Sequence, residues 1–338
     1  MQNFESFREF MATPQRVIIT THQNPDADAL GSSLGLYNFL RKLGHDVTVI
    51  TPTEYPEFLN WMEGNENVLV YTAMESEDVL SLIDNASLIC CLDFSSLSRI
   101  NDLGELVRHA NAKKLLVDHH LNPEDFADYV LWSTDAAATA ELIFDLIQMM
   151  DATDLIDTAI ANSLYAGIMT DTGSFRHPST SAKVHRIVAH LIDNGANVNR
   201  VSKLIYDNNS VNRIKFVGFA ISKRLYVYED LNMAYLKISK EDIAKYNLKS
   251  GDTEGLVNYA LSIKGINIAA ILMEKDGLIK MSFRSIGDFS VNDFAAKNFK
   301  GGGHKNAAGG ASDESLDETE NRFLNAIAQS KKQLNYEF

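Results

Sequence analysis

The sequence predicts an α/β protein: an N-terminal parallel-sheet domain with helices on both faces, a helical connector, and a smaller α+β C-terminal domain. Three observations carry this prediction. Between Val17 and Val117, short apolar runs alternate with helical patterns, as in a parallel sheet covered by helices. From Ala137 to about Lys223 the pattern is almost wholly helical, and after Leu225 strand-like runs return. The expected divisions are 1–197 for the first domain, 198–224 for the connector and 225–338 for the second domain.

Taken in order, Phe4, Phe7 and Phe10 recur at helical spacing, without the basic start and apolar core of a signal peptide. Val17 to Thr21 reads as a strand, and Ala29 to Leu43 as a helix with Leu30, Leu34, Tyr37 and Leu40 on one face. Val47 to Ile50, Val68 to Tyr71, Leu88 to Leu92 and Leu115 to Val117 are further short strands. Ile156, Ile160, Leu164, Gly167 and Ile168 form an apolar helical stripe that ends at Asp171. LYVYED, MAYLKIS, INIAAILME and LIKMSFRS read as strands of the second domain, and Ser315 to Lys332 as its closing helix. The glycine-rich patch Gly301 to Gly310 is the one compositional anomaly.

Composition narrows the function. The 338 residues are 45% hydrophobic and 22% charged with 6 prolines, too apolar for disorder and long enough for two domains. Lys plus Arg number 31 against 45 Asp plus Glu, a net charge of −14 that argues against binding long duplex nucleic acid. A small polyanion is still accessible if metal ions or a local Arg and His cluster supply positive charge. No apolar run reaches the ~20 residues that cross a bilayer. Cys90 and Cys91 are strand neighbours pointing to opposite faces, which disfavours a disulfide and points to a reducing, cytoplasmic setting.

The chemistry gathers at strand ends. The first strand runs into His22-Gln23-Asn24-Pro25-Asp26-Ala27-Asp28, the run at Leu88 ends in Asp93, and the run at Leu115 ends in Asp118-His119-His120. Open α/β sheets place their sites at such carboxyl ends. Asp171 supplies a fourth contribution from its helix. Asp26, Asp28, Asp93 and Asp171 repel one another unless cations sit among them, and two divalent ions cancel their charge. Asp and His donors without cysteine suit Mn²⁺ first, with Mg²⁺, Co²⁺ or Fe²⁺ behind it. Paired ions of this kind hydrolyse phosphate esters.

HQNPDADALGSS, the LDFSS around Asp93, VDHH and MTDTGSF resemble the four motifs of the DHH phosphoesterase superfamily, in that family's order. GGGHKNAAG at Gly301 to Gly309, with EGLVNYALSIKGINIAAILME and SFRS, is similar to the DHH-associated C-terminal domain. Within the superfamily the chain is similar to the short, two-domain nanoRNase and pAp phosphatase group. Long RecJ exonucleases carry added modules, and family II pyrophosphatases lack the GGGH patch.

The resemblance implies that His22, Asp26 and Asp93 hold one ion, and that Asp28, Asp93, His119 and Asp171 hold the other, with Asp93 bridging. It places His120 beside the scissile phosphate as acid or charge stabiliser, with Asp93 also catalytic. Asp118 is better placed to orient a histidine than to bind metal. Gly302, Gly303 and His304, with Arg284 beside them, are expected to form an anion-binding nest for substrate phosphate. Arg99 and Arg176 are further phosphate candidates, each equally suited to an exposed surface. The implied substrates are very short single-stranded RNA and the 3′-phosphate of 3′-phosphoadenosine 5′-phosphate (pAp), gripped by two domains that close across a cleft; a homodimer is compatible with this. The rival enzyme is a phosphodiesterase for pApA or cyclic di-AMP, with an inorganic polyphosphatase behind it. A rival of another class, a nucleotide-binding module without hydrolysis, would have lost ligands, yet all six positions hold Asp or His.

Overall fold

The computed structural model describes residues 1–249, 251–275 and 277–330. The chain divides into two compact units, Met1–Asn208 and Asn209 onward. The stretch 198–224 expected as a connector consists of two helices, Val198–Tyr206 and Val211–Lys223, which fall in different units.

The first unit is built on six parallel strands: β1 (Arg16–Thr21), β2 (Asp46–Thr51), β3 (Leu69–Val70), β4 (Leu88–Leu92), β5 (Lys113–Asp118) and β6 (Tyr129–Trp132). Their spatial order is β3-β2-β1-β4-β5-β6. Because side chains alternate across a strand, Val17 and Ile19 join the apolar cluster on one face while Ile18 joins that on the other. Cys90 and Cys91 separate the same way, both buried and free. Helices Ala27–Lys42, Thr139–Met149 and Thr158–Asp171 cover one face; Ser76–Asn85 and Leu103–His109 cover the other. The N-terminal helix Phe4–Phe10 buries Phe7 edge-on against Tyr129.

β6 is absent from the sequence expectation, because a four-residue edge strand carries too little alternation to stand out. Two helices of the first face pack unusually close. A Cβ at Gly31 would come within 2.4 Å of the Ser163 carbonyl oxygen, so only glycine lets helix Ala27–Lys42 lie against helix Thr158–Asp171.

The second unit carries a mixed sheet in the order β11-β12-β10-β9-β8-β7. Its strands are β7 (Leu225–Tyr228), β8 (Met233–Ile238), β9 (Ile268–Lys275), β10 (Leu278–Ser285), β11 (Gly302–His304) and β12 (Ala307–Ser312). All pairs are antiparallel except β8 with β9, whose crossover contains helix Leu256–Leu261. Helix Leu316–Gln329 opens with a capping box from Ser315 and Glu318 and buries Phe323 and Ile327.

Candidate metal centre

The order of the first sheet reverses between β1 and β4, since the chain builds β2 and β3 on one side and β5 and β6 on the other. The carboxyl ends flanking such a reversal leave a crevice, and the candidate residues emerge there. His22 follows β1, Asp93 follows β4, and His119 and His120 follow β5. Asp26 caps helix Ala27–Lys42, its Oδ1 accepting the Asp28 and Ala29 amides at 3.0 Å each. Asp28 is buried in that helix's first turn, and Asp171 closes helix Thr158–Asp171. Asp93 has φ of 65°, a left-handed backbone that is costly without glycine, and it donates its amide to the Val117 carbonyl at 3.0 Å.

Among the groups of ligand atoms that the described residues form at these strand ends are His22 with Asp26 and Asp93, and Asp28 with His119 and Asp171; within each, the atoms lie inside 4.8 Å of one another. The Asp93 carboxylate addresses both. Its Oδ2 is 3.4 Å from His22 Nε2 and its Oδ1 is 3.4 Å from His119 Nε2. His119 Nε2 also lies 3.3 Å from Asp171 Oδ2 and 3.8 Å from Asp28 Oδ2. The ring orientations are fixed from behind: His22 Nδ1 donates to the Gln23 carbonyl at 2.8 Å, and His119 Nδ1 to that of Ala136 at 3.3 Å.

Electrostatics without a cation are strained. Burial pushes the Asp28 carboxyl well up, and the Asp93 and Asp171 carboxylates push it further. Burial also acts to raise Asp93, but hydrogen bonds from His119 and His22 outweigh it and hold that carboxyl well below the usual range. Burial alone would lower His22; the Asp93 and Asp26 carboxylates instead raise it to about 9. His119 is raised well above its ordinary value by Asp171 and Asp93, against its burial. The raised Asp28 carboxyl and the raised His22 and His119 imidazoles all answer the same crowding of carboxylates. Carboxylate oxygens and imidazole nitrogens, buried or half-buried and with no thiolate among them, suit hard to borderline divalent ions.

Beside the two groups, Asp118 Oδ1 accepts from His120 Nδ1 at 2.8 Å, and His120 Nδ1 is 3.7 Å from Asp93 Oδ1. The structure adds residues that the sequence pattern does not reveal. The Thr139 amide donates to Asp28 Oδ2 at 2.6 Å, the Ala140 amide to Asp28 Oδ1 at 2.9 Å, and Thr139 Oγ1 to Asp93 Oδ1 at 2.8 Å. Helix Thr139–Met149 has Ala138 at its N-cap, so its first amides lack a local side-chain acceptor and take a distant carboxylate. Gly167 leaves room for that carboxylate, since a Cβ there would come 2.5 Å from Asp28 Oδ1.

The three arginine candidates and the glycine patch have different surroundings. Arg99 is half-buried and its carbonyl accepts the Gln23 amide at 2.9 Å. Arg176 is exposed and its Nε donates to the Gly173 carbonyl at 2.7 Å. Arg284 on β10 and His304 on β11 both pair with Ala307 on β12, which sets them in one row on one face of the second sheet. The glycine patch forms part of a hairpin: Gly302 to His304 pair with β12, and the Gly303 amide donates to Asn292 Oδ1 at 2.8 Å. The glycines serve close strand approach, because a Cβ at Gly301 would come 2.2 Å from the Gly309 carbonyl oxygen and one at Gly303 would come 2.6 Å from that of Ala307.

Comparison with known proteins identifies the families of both units. Residues 16–168 match the DHH family N-terminal domain and residues 230–333 the DHHA1 domain. A protein of Thermus thermophilus named bifunctional oligoribonuclease and PAP phosphatase NrnA is 30% identical over 95% of this chain and 91% of its own length. The Bacillus subtilis protein of the same name is 28% identical over 90% of this chain and 91% of its own. A crystal structure of an exopolyphosphatase-related protein from Bacteroides fragilis superposes with a TM-score of 0.94 at 36% identity, covering 98% of this chain and 97% of that one. The chain therefore belongs to the DHH family, with a DHH domain in its first unit and a DHHA1 domain in its second.

Proposed function

We propose that this chain is a metal-dependent phosphoesterase that hydrolyses short oligoribonucleotides to mononucleotides and pAp to AMP. One observation carries the reading: buried and half-buried carboxylates and imidazoles converge at one sheet edge in two groups joined by Asp93, with the Asp118–His120 pair alongside. Names of the Thermus and Bacillus relatives support the substrate class. His22, Asp26 and Asp93 would hold one divalent ion and Asp28, His119, Asp171 and Asp93 the other, with Mn²⁺ the ion best suited to these donors. When bound, such ions supply Lewis acidity and a water acidic enough to attack phosphorus near neutral pH.

The chain's own residues do the rest. Asp118 accepts from His120 Nδ1 and so fixes the ring, leaving Nε2 as the atom that carries a proton to the leaving oxygen. Arg284 and His304, in one row of the second unit, are the cations proposed to hold the substrate's remaining phosphate.

The test is a substrate panel under Mn²⁺: two- to five-nucleotide RNAs, pAp, pApA, cyclic di-AMP and polyphosphate. Turnover of short RNA and pAp ahead of the others is the expected result. Preference for cyclic di-AMP or polyphosphate would move the chain to another substrate class, and no turnover of any member would refute an enzymatic role.

A further inference from the structure

The segment Ala136–Ala140 touches three proposed ligands but belongs to none of the ligand groups. Its Ala136 carbonyl meets His119, its Thr139 and Ala140 amides meet both oxygens of Asp28, and the Thr139 hydroxyl meets Asp93. We propose that Thr139 is a positioning residue for the metal centre, its hydroxyl setting the rotation of the Asp93 carboxylate so that Oδ2 faces the His22 group and Oδ1 the His119 group. The inference rests on the two-ion reading above and extends it to a residue outside the ligand set.

Thr139 is fully buried, and its hydroxyl donates to Asp93 Oδ1 at 2.8 Å. That hydrogen bond pins the carboxylate with Oδ1 toward His119 and Oδ2 toward His22. A buried β-branched side chain has little χ1 freedom, so the hydroxyl's direction is set by the backbone rather than by the ligand. The backbone is itself clasped: Glu141 Oε2 accepts the Ala137 amide at 2.7 Å, and Glu141 Oε1 pairs with Lys183 Nζ at 2.9 Å. The same helix start directs two amides at Asp28, so one rigid element orients the proposed bridging carboxylate and a carboxylate of the second group together.

The experiment compares wild type, Thr139→Val and Thr139→Ser as metal-stripped proteins titrated with Mn²⁺, with free ion counted by electron paramagnetic resonance. Thr139→Val keeps shape and removes the hydroxyl; it should weaken Mn²⁺ affinity about 10–100-fold, the usual cost of losing an outer-shell partner. Thr139→Ser restores the donor and should restore the affinity. Losing this buried hydrogen bond should also lower the metal-free melting temperature of Thr139→Val, so cooperative unfolding of each metal-free protein is the check that it is folded; if the valine variant fails to fold, Thr139→Ala takes its place with the same expected loss. Unchanged affinity in Thr139→Val, or an equal loss in Thr139→Ser, would overturn the positioning role while leaving the two-ion reading intact. Failure of the wild type to bind Mn²⁺ would overturn that reading and this one with it.

Discussion

At the scale of single residues, the adjacent histidines are assigned opposite duties by their partners. His119 Nε2 faces three carboxylates, whereas His120 Nδ1 is taken by Asp118. His120→Ala should therefore lower turnover by about 10²–10⁴-fold, the range for a positioned acid, with metal content unchanged. His119→Ala should instead lose one ion. Elemental analysis of both variants checks this, and equal metal loss would show the two histidines to be assigned wrongly.

Protonation gives a second prediction at this scale. In the metal-free protein the His22 imidazolium persists up to about pH 9, against an ordinary value of 6.5, and His119 is raised as well. Their charge stabilises the metal-free fold fully below about pH 6.5 and is lost as pH rises through the folded-state values. A metal ion must displace those protons, so Mn²⁺ affinity should climb steadily from pH 6.5 to 9, by about tenfold per unit for each proton released. Calorimetry in buffers of differing ionisation enthalpy reads the proton count directly. An affinity flat over that window would contradict the assignment of charged imidazoles to the metal-free centre.

At the scale of elements, the centre depends on how closely three helices approach. Helix Thr158–Asp171 passes the start of helix Thr139–Met149 at Gly167, where a Cβ would come 2.5 Å from Asp28 Oδ1 and 2.8 Å from Ala140 Cβ. Gly167→Ala should therefore displace Asp28 from the amides that hold it, weakening Mn²⁺ binding as well as destabilising the fold. Overpacking of this kind typically costs about 1–3 kcal/mol, which denaturant unfolding should report. A variant with normal stability and normal Mn²⁺ affinity would mean that Asp28 has slack the geometry does not show.

Elements also show what is legible in the sequence. Strand ends bearing His22, Asp93 and Asp118-His119-His120 can be read because each apolar run stops at a polar residue. What cannot be read is the long-range bonding of Thr139 and Ala140, whose amides bind a residue 111 and 112 positions away. Local patterning carries no such information. The glycine patch shows the same limit: Gly301 and Gly303 meet neighbouring strand backbone, a demand for glycine that local sequence does not display.

At the scale of the whole molecule, two units divide the labour that the proposed function requires. In the proposed two-ion centre the four site carboxylates would absorb the charge of both ions, which would leave little for a second substrate phosphate. Arg284 in the second unit is the proposed partner, and arginine's bidentate geometry is not reproduced by lysine. Arg284→Lys should raise the KM for pAp about tenfold to a hundredfold, the effect of losing a charge-assisted contact of about 1.5–3 kcal/mol. Bis-p-nitrophenyl phosphate, which has a single phosphate, should be hydrolysed by the variant as by wild type. Equal losses on both substrates would make the second unit structural in this respect. Among the described residues no helix is long and apolar enough to cross a membrane.

The proposed chemistry turns on two ions sharing Asp93 at the reversal of the first sheet. The most direct measurement is the number of Mn²⁺ ions retained per chain by wild type and by Asp93→Ala at equal free Mn²⁺. Wild type should retain two. Asp93→Ala should lose both near the wild-type saturation point, because the carboxylate contributes to each group. A wild type that holds a single ion, or an Asp93→Ala variant that still holds two, would contradict the shared centre.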